Sequence, residues 1–279
     1  MSTHLSAMRI GIMTMAFAVS LTTALAFSVA STSSASTPPP PVPCCNGGNP
    51  VWGWDTYGGS GGSGALTPSK LAGLITELKG TPGVIGVYLD HGTGPILTSG
   101  VVSTIHGHGI VMDLIEDSYT AAESTSGGLE TAAEGSTDAT TAATDAHNLG
   151  APENSSIVIY RDIENGEKVS WQYITAYYNQ LSNYHFIPGF YENPINGQFN
   201  GAFCNTTATI ENGSAQWTDQ PSQSANNLSQ FYYTNRPVWT SPDTTTCTPS
   251  GASVYAWQYI LAGGVGPVDD DLMSTSGTW

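Results

Sequence analysis

Short apolar segments that end in an acidic residue recur along the chain and alternate with helix-like segments. The clearest is the β-branched run over residues 156–164, which ends in Asp162 and Glu164. Because successive strand residues point to opposite faces of a sheet, Asp162 and Glu164 are expected on the same face. Buried carboxylates lose hydration, so two of them at the end of a buried strand indicate a reaction, a metal or a partner that uses them.

The strand-like form repeats through the chain after residue 50. Strands are predicted over residues 51–55, 84–90, 109–116, 156–164, 186–192, 237–241, 252–259 and 265–272. Helices are predicted over residues 67–79, 98–108, 131–149, 169–182 and 222–232. Eight strands that alternate with helices are typical of the α/β class and predict a single (β/α)8 TIM-type barrel, with irregularity allowed in its second half. A doubly wound open sheet is the alternative fold.

The N-terminal part has the pattern of an export signal. Residues 1–30 are predicted to be a signal peptide, because Arg9 precedes an apolar run that small residues follow. The run is long enough to span a bilayer, so an uncleaved membrane anchor is the alternative. Residues 31–49 are a Ser/Thr/Pro-rich linker, and residues 50–279 are the barrel domain. We therefore expect a secreted or cell-wall-associated protein with no stable membrane insertion after signal cleavage.

Four cysteines fit such an oxidising compartment. Cys204 and Cys247 bracket a polar, irregular stretch, and a disulfide between them would close a long loop. Cys44 and Cys45 are adjacent, and they could pair with each other, with another chain, or with Cys204 and Cys247 in either crossed arrangement. The spacing resembles no zinc motif, so zinc is the weaker interpretation.

The charge balance restricts the partners. Six Lys and Arg residues against 22 Asp and Glu residues give a formal net charge of -16, so nucleic acid is not an expected partner. A neutral glycan or peptide fits better. No phosphate-binding loop and no CxxC motif are present, so no cofactor is predicted. His106 and His108 fall at a helix end on the side of a barrel opposite to catalysis, so we expect a structural or surface role and no metal there. The oligomeric state is not indicated.

Acidic residues end five of the predicted strands, and they are Asp55, Asp90, Glu116, Asp162, Glu164 and Glu192. In a barrel they would converge at the carboxyl-terminal rim, where such folds carry out chemistry. Any one of them alone could instead cap the next helix. Paired carboxylates suit glycosidic cleavage, since crowding keeps one protonated as the acid while another stabilises or attacks the sugar cation. A divalent-cation site is the alternative.

Aromatic residues lie at the same strand ends, where sugar rings could stack on them. They are Trp54, Tyr57, Tyr88, Tyr160, Tyr191 and Trp257. Packing within the barrel core is the alternative role for each.

Several short motifs occur in a specific order between residues 52 and 272. They are Gly53-Trp-Asp55, Gly135 with Asp138-Ala139 before an Ala-rich helix, Leu149-Gly-Ala-Pro152, Ile159-Tyr160, Asp162-Ile-Glu164, Gly189-Phe-Tyr191, Trp257-Gln-Tyr259 and Val268-Asp-Asp-Asp271. In this order they resemble the glycoside hydrolase family 25 lysozymes and, more closely, the related secreted glycoside-hydrolase-like proteins once grouped as a domain of unknown function. Two motifs depart from the lysozyme pattern, with Tyr88-Leu-Asp90 ending the second strand and Leu114-Ile-Glu116 the third.

The resemblance implies a barrel that hydrolyses β-1,4 glycosidic bonds in cell-wall polysaccharide, with peptidoglycan as the expected substrate. It implies Glu164 as general acid, Asp162 as the residue that assists the acetamido group or the cation, and Asp55 beside them. The expected substrate-binding residues are Tyr88, Asp90, Glu116, Tyr191, Glu192, Trp257, Gln258 and Asp269. A non-catalytic glycan-binding protein on the same barrel is the competing hypothesis, and a metal-dependent hydrolase is the third.

Overall fold

The computed structural model describes residues 50–56, 66–91, 97–117, 129–153, 156–163, 167–192, 198–219, 253–260 and 268–279. The strands are β1 (Val51–Thr56), β2 (Val84–His91), β3 (Val111–Asp117), β4 (Val158–Ile163), β5 (Ile187–Glu192), β6 (Ala215–Asp219), β7 (Ser253–Ile260) and β8 (Asp269–Met273). The helices are α1 (Pro68–Glu77), α2 (Ser99–Gly107), α3 (Ala132–Leu149), α4 (Trp171–Asn183), α5 (Gln198–Phe203) and α6 (Ala208–Gly213).

The eight strands close into a barrel in chain order, which confirms the TIM-type α/β fold. Neighbours from β1 to β7 pair in parallel, whereas β8 is antiparallel to both β7 and β1. The irregularity therefore lies in the second half, where β8 enters the barrel from the carboxyl-terminal rim.

One predicted strand does not supply the sixth position of the barrel. That position belongs to β6, which pairs with β5 and β7 and which the sequence pattern did not reveal. The predicted strand over 237–241 and the predicted helix over 222–232 lie outside the described residues. The other predicted strands each overlap an observed strand.

Local side-chain chemistry fixes the helix ends. The hydroxyl groups of Thr98 and Ser170 each accept a backbone N–H at the start of a helix, which satisfies a donor that has no partner within the helix. Thr131 and Glu134 form a reciprocal capping box at the start of α3. Gly150 ends the same helix at φ 101°, a backbone conformation that glycine adopts without strain.

The buried apolar residues form two clusters. The larger lies between the outer face of the sheet and the helices. The smaller fills the barrel and includes Tyr88, Tyr160, Tyr191 and Trp217. Gly189 is needed on β5 because a Cβ there would lie 2.6 Å from the Tyr160 ring. Small residues on some strands thus make room for large rings on others.

Helices α3 and α4 pack closely against each other. Four alanines on α3 are fully buried, and they are Ala139, Ala142, Ala143 and Ala146. A Cβ on Gly135 would lie 2.5 Å from the carbonyl oxygen of Tyr173 on α4. Gly135 and the four buried alanines therefore allow the backbones of α3 and α4 to approach each other.

Replacing Gly135 with alanine is expected to lower the free energy of unfolding by about 1 to 3 kcal/mol, because the added methyl group meets backbone that cannot rotate away. Gly73→Ala is the matched control, since that glycine lies within α1 and an added Cβ would meet no neighbouring atom within 4 Å. There the change should raise the free energy of unfolding by about 0.5 to 1 kcal/mol. Urea unfolding of both variants measures the contrast, and equal effects at the two glycines would contradict it.

Within the described residues, no helix combines the length and apolar character needed to cross a membrane. The predicted signal peptide, the linker, Cys44, Cys45 and Cys247 lie outside that part of the chain. Cys204 follows α5 and is not a free thiol. Its pairing with Cys247 remains a prediction.

Candidate active site

Carboxyl groups gather inside the barrel at its carboxyl-terminal rim. The side-chain amide of Gln258 donates to Asp55 at 3.5 Å, and the indole N–H of Trp217 donates to Asp271 at 3.0 Å. Asp269 is paired with Asp55 in the antiparallel register of β1 and β8. Strands from both ends of the chain thus deliver polar groups to one place.

Asp271 also makes a hydrogen bond with Asp55, and burial raises the pKa of Asp271 well above its usual range, with a further rise from the charge of Asp269. The Trp217 N–H opposes the rise. A hydrogen bond between two carboxyl groups requires a proton between them, so this pair is a place where the barrel holds a proton.

Asp162 is the second titratable centre of the rim. The hydroxyl group of Tyr88 donates to its Oδ2 at 2.9 Å, while Oδ1 is buried with no hydrogen-bond partner among the described residues. Burial raises the pKa of Asp162 to about 8, and Asp117 and Asp219 add to the rise. The Tyr88 hydrogen bond and the charge of Arg161 oppose it. Burial therefore favours the protonated form of Asp162.

Aromatic rings lie next to these carboxyl groups inside the barrel. The ring centroids of Tyr191 and Trp217 are 5.0 Å apart, and those of Tyr160 and Trp217 are 5.3 Å apart. All three side chains are almost fully buried. Because so little of each ring is exposed, the rings belong to the packed interior of the barrel, where Trp217 contacts Asp271 and Tyr160 lies near Asp113. Their packing limits hydration of the charged forms of these two acids.

Some predicted site residues do not join this group. Glu116 lies in the layer between sheet and helices, where its Oε2 is 3.4 Å from Nε of Arg161. A β-bulge after Tyr88 pairs Asp90 with Glu116 in the strand register. Trp257 packs against Tyr259 in the outer core cluster. The side chains of Glu116 and Trp257 therefore lie on the outer face of the sheet, away from the interior acids.

Glu192 and Trp54 are also separate from the interior group. Glu192 is fully buried and pairs with Thr218 on the strand face opposite to that of Tyr191 and Trp217. Burial raises the pKa of Glu192 well above its usual range, and Asp219 adds to the rise. Trp54 belongs to the outer core cluster. Glu164 and Tyr57 lie outside the described residues, so their positions are not part of this geometry.

The described part of the chain contains no group of three or more His, Cys, Asp or Glu side chains arranged to hold a metal ion. His106 lies at the opposite end of the barrel, where its ring packs edge-on against Trp279 with centroids 5.3 Å apart. Asp113 is a further interior carboxyl, and burial raises its pKa well above its usual range. It lies two residues before Ile115 on β3, deeper in the barrel than the rim.

Four rim residues were not among the predicted site residues: Asp117, Trp217, Asp219 and Asp271. Asp271 stands in the Val268-Asp-Asp-Asp271 motif, and its alternation with Asp269 was the signal that could have identified it. Asp117 directly follows Glu116. The prediction assigned Glu116 to the inner face of β3, but that face carries Asp117. Trp217 and Asp219 lie on β6, which the pattern missed.

No family model and no curated protein matches the chain. Solved structures do match. An uncharacterized protein of B. stearothermophilus is 23% identical with a TM-score of 0.67, covering 82% of this chain and 100% of that one. A Tat-secreted protein of Mycobacterium tuberculosis, solved with L-tartrate, is 18% identical with a TM-score of 0.51, covering 82% and 98%. The modular autolysin LytC of Streptococcus pneumoniae is 16% identical with a TM-score of 0.48, covering 80% and 46%. The first two similarities are similarities of fold.

Proposed function

We propose that the protein is a secreted glycoside hydrolase that cleaves β-1,4 bonds in cell-wall polysaccharide, with peptidoglycan as the substrate. The observation that carries this proposal is the Asp162 carboxyl group, which is held at the rim by Tyr88 and whose pKa burial raises to about 8. Glycosidic cleavage uses several carboxyl groups that differ in protonation state. Asp117 and Asp219 lie close enough to Asp162 to raise its pKa, and Asp55 and Asp271 form a second pair of carboxyl groups inside the barrel.

The roles combine what the sequence resemblance implies with the contacts of Asp162. Glu164 comes two residues after Asp162 and, as the sequence resemblance implies, protonates the leaving oxygen. Asp162 contacts the acetamido group of the sugar through Oδ1, since Tyr88 already occupies Oδ2. A positive charge that develops on the sugar favours the ionised form of a nearby carboxyl group, so the acids around Asp55 stabilise it as it forms.

Peptidoglycan hydrolysis by the purified protein tests the proposal through the release of reducing ends. Glu164→Gln and Asp162→Asn are each expected to lower kcat by about 10²- to 10⁴-fold, because each removes a group that transfers or positions a proton in the reaction. The matched controls are Glu77→Gln on α1 and Asp145→Asn on α3, which make the same chemical changes outside the barrel. Wild-type rates in both Glu164→Gln and Asp162→Asn, or no release of reducing ends by the wild type, would refute the proposal.

A non-catalytic glycan-binding barrel is the second candidate function. The observation that favours it is the pair of departures at the second and third strands, where the Tyr88 hydroxyl group occupies Asp162 and Glu116 pairs with Arg161 outside the barrel. If this function is correct, equal amounts of the wild type and of Glu164→Gln should co-sediment with insoluble peptidoglycan. Neither protein should release reducing ends.

A further inference from the structure

Arg161 precedes Asp162 on β4 and extends from the opposite face of the strand. Its side chain is fully buried, and its guanidinium lies 5.8 Å from the centroid of the Tyr173 ring on α4. A cation in this layer loses its hydration, and it persists only where carboxylates and hydrogen bonds replace the lost water.

The guanidinium of Arg161 contacts carboxyl groups from three segments. Its Nη2 lies 3.1 Å from Glu130 Oε1 and 3.3 Å from Glu167 Oε2, and its Nε lies 3.4 Å from Glu116 Oε2. Nε also donates to the Tyr173 hydroxyl oxygen at 2.6 Å. These contacts join the end of β3, the segment that enters α3, the loop that enters α4, and α4 itself.

Backbone contacts tie two of those segments to each other. The N–H of Glu130 donates to the carbonyl of Lys168 at 2.8 Å, and the Ser170 hydroxyl donates to the carbonyl of Glu130 at 2.7 Å. The Tyr173 hydroxyl donates onward to Asp138 of α3 at 2.7 Å. The segments around Arg161 are thus fixed to one another as well as to the guanidinium.

Arg161 also acts on Asp162 directly. Its Nη1 donates to the carbonyl oxygen of Asp162 and lies 3.7 Å from Asp117 Oδ1. The positive charge of Arg161 opposes the rise in the pKa of Asp162. One side chain on the outer face of β4 therefore affects both the backbone position and the protonation of a carboxyl group on the inner face.

One cation faces four carboxyl groups in this cluster, which would leave excess negative charge in a buried layer. Burial raises the pKa of Glu167 to about 10, and Asp162, Glu130 and Asp117 add to the rise against the charge of Arg161. Glu167 therefore keeps its proton at neutral pH and contacts Arg161 as a neutral acid, which removes one of the negative charges.

We propose that Arg161 is a positioning residue for Asp162, holding the carboxyl end of β4 against β3 and the segments that enter α3 and α4. The inference rests on the proposed function for its consequence in catalysis. The effect of Arg161 on the position and pKa of Asp162 can be tested even if the protein hydrolyses no glycan.

The titratable and charged groups that act on Asp162 define what a titration must separate. They are Tyr88 on β2, Asp117 on β3, Arg161 on β4 itself and Asp219 on β6, and Glu167 of the loop that enters α4 interacts with Asp162 as well. Arg161 and Tyr88 lower the pKa of Asp162, whereas the two acids raise it. Loss of Arg161 should therefore move the Asp162 midpoint upward, a direction that loss of either acid would not give.

Carbon-13 NMR of protein labelled at the Asp side-chain carboxyl carbons measures that midpoint, with Asp162→Asn providing the assignment. Arg161→Gln is expected to raise the Asp162 midpoint by about one pH unit or more. Arg161→Lys should raise it less, because one ammonium group keeps the charge but cannot reproduce the planar set of contacts. Lys168→Gln is the control, since Lys168 is an exposed cation of the same loop and should leave the midpoint unchanged.

A wild-type Asp162 midpoint in the folded Arg161 variants would overturn the inference, and Arg161→Lys decides alone if Arg161→Gln does not fold. Peptidoglycan assays add a second measurement, in which both Arg161 variants are expected to lower kcat with little change in KM. If the wild type releases no reducing ends, the proposed function fails while the titration still tests the role of Arg161.

Discussion

Replacing Arg161 with methionine is expected to lower the free energy of unfolding by about 3 to 5 kcal/mol. The substitution leaves Glu116 and Glu130 buried without their cation, and uncompensated buried charge is among the costliest changes in a protein interior. Methionine preserves most of the side-chain volume, so the loss reports the charge rather than a cavity.

Urea unfolding at pH 7 measures this loss. Lys168→Met is the matched control, because it removes an exposed cation from the loop that enters α4 and should change the free energy of unfolding by less than about 0.5 kcal/mol. A second comparison uses Glu167→Gln, which should be close to neutral because Glu167 already holds a proton. Similar losses for Arg161→Met and Lys168→Met would contradict the buried-cluster interpretation.

The free energy of unfolding is expected to fall as the pH rises from about 5 to about 8. Burial raises the folded-state pKa of several carboxyl groups, and these are Asp113, Asp162, Asp271 and Glu192. In the unfolded chain the same groups lose their protons near pH 4. Between those values the folded state binds more protons than the unfolded state, so each rise in pH favours unfolding.

The slope is expected to be about 1.4 kcal/mol per pH unit for each carboxyl group that titrates only in the unfolded state. The contribution of Asp162 to this fall in the free energy of unfolding ends near its folded-state pKa of about 8. Thermal unfolding monitored by circular dichroism across this range measures the effect. Asp113→Asn should flatten the curve, since the amide cannot ionise in either state, whereas Glu153→Gln on the surface should leave the slope unchanged. Rising stability from pH 5 to 8 would show that these acids are ionised in the fold.

Strand and helix identity follows from sequence where burial and local chemistry agree. The outer-face residues of β2 before its bulge are apolar, and those of β4 are apolar except for Arg161. The hydroxyl caps at Thr98 and Ser170 mark helix starts, so those elements are predictable. β6 carries Gln216 and Thr218 on its outer face, both fully buried. Its polar composition gave no apolar run, and only its neighbours in the barrel make it a strand.

The candidate site was harder to predict because a side chain's face depends on strand phase. Glu116 and Asp117 differ by one position, and the bulge after Tyr88 changes the phase of β2. The prediction also assumed that all strands are parallel, so that the last residues of each strand lie at the carboxyl-terminal rim of the barrel. β8 runs the other way, so Asp269 and Asp271 reach the rim from the start of their strand.

The antiparallel closure by β8 also affects how the protein folds. Asp55 and Gln258 are 203 residues apart in sequence, and Asp271 comes later still. Contacts between such distant residues are slow to form, because the entropy of closing a long loop is lost before any contact is gained. The carboxyl cluster is therefore assembled only when the first and last strands meet. During synthesis, Asp55 on β1 is made long before its partners on β7 and β8. The site is therefore completed late in folding.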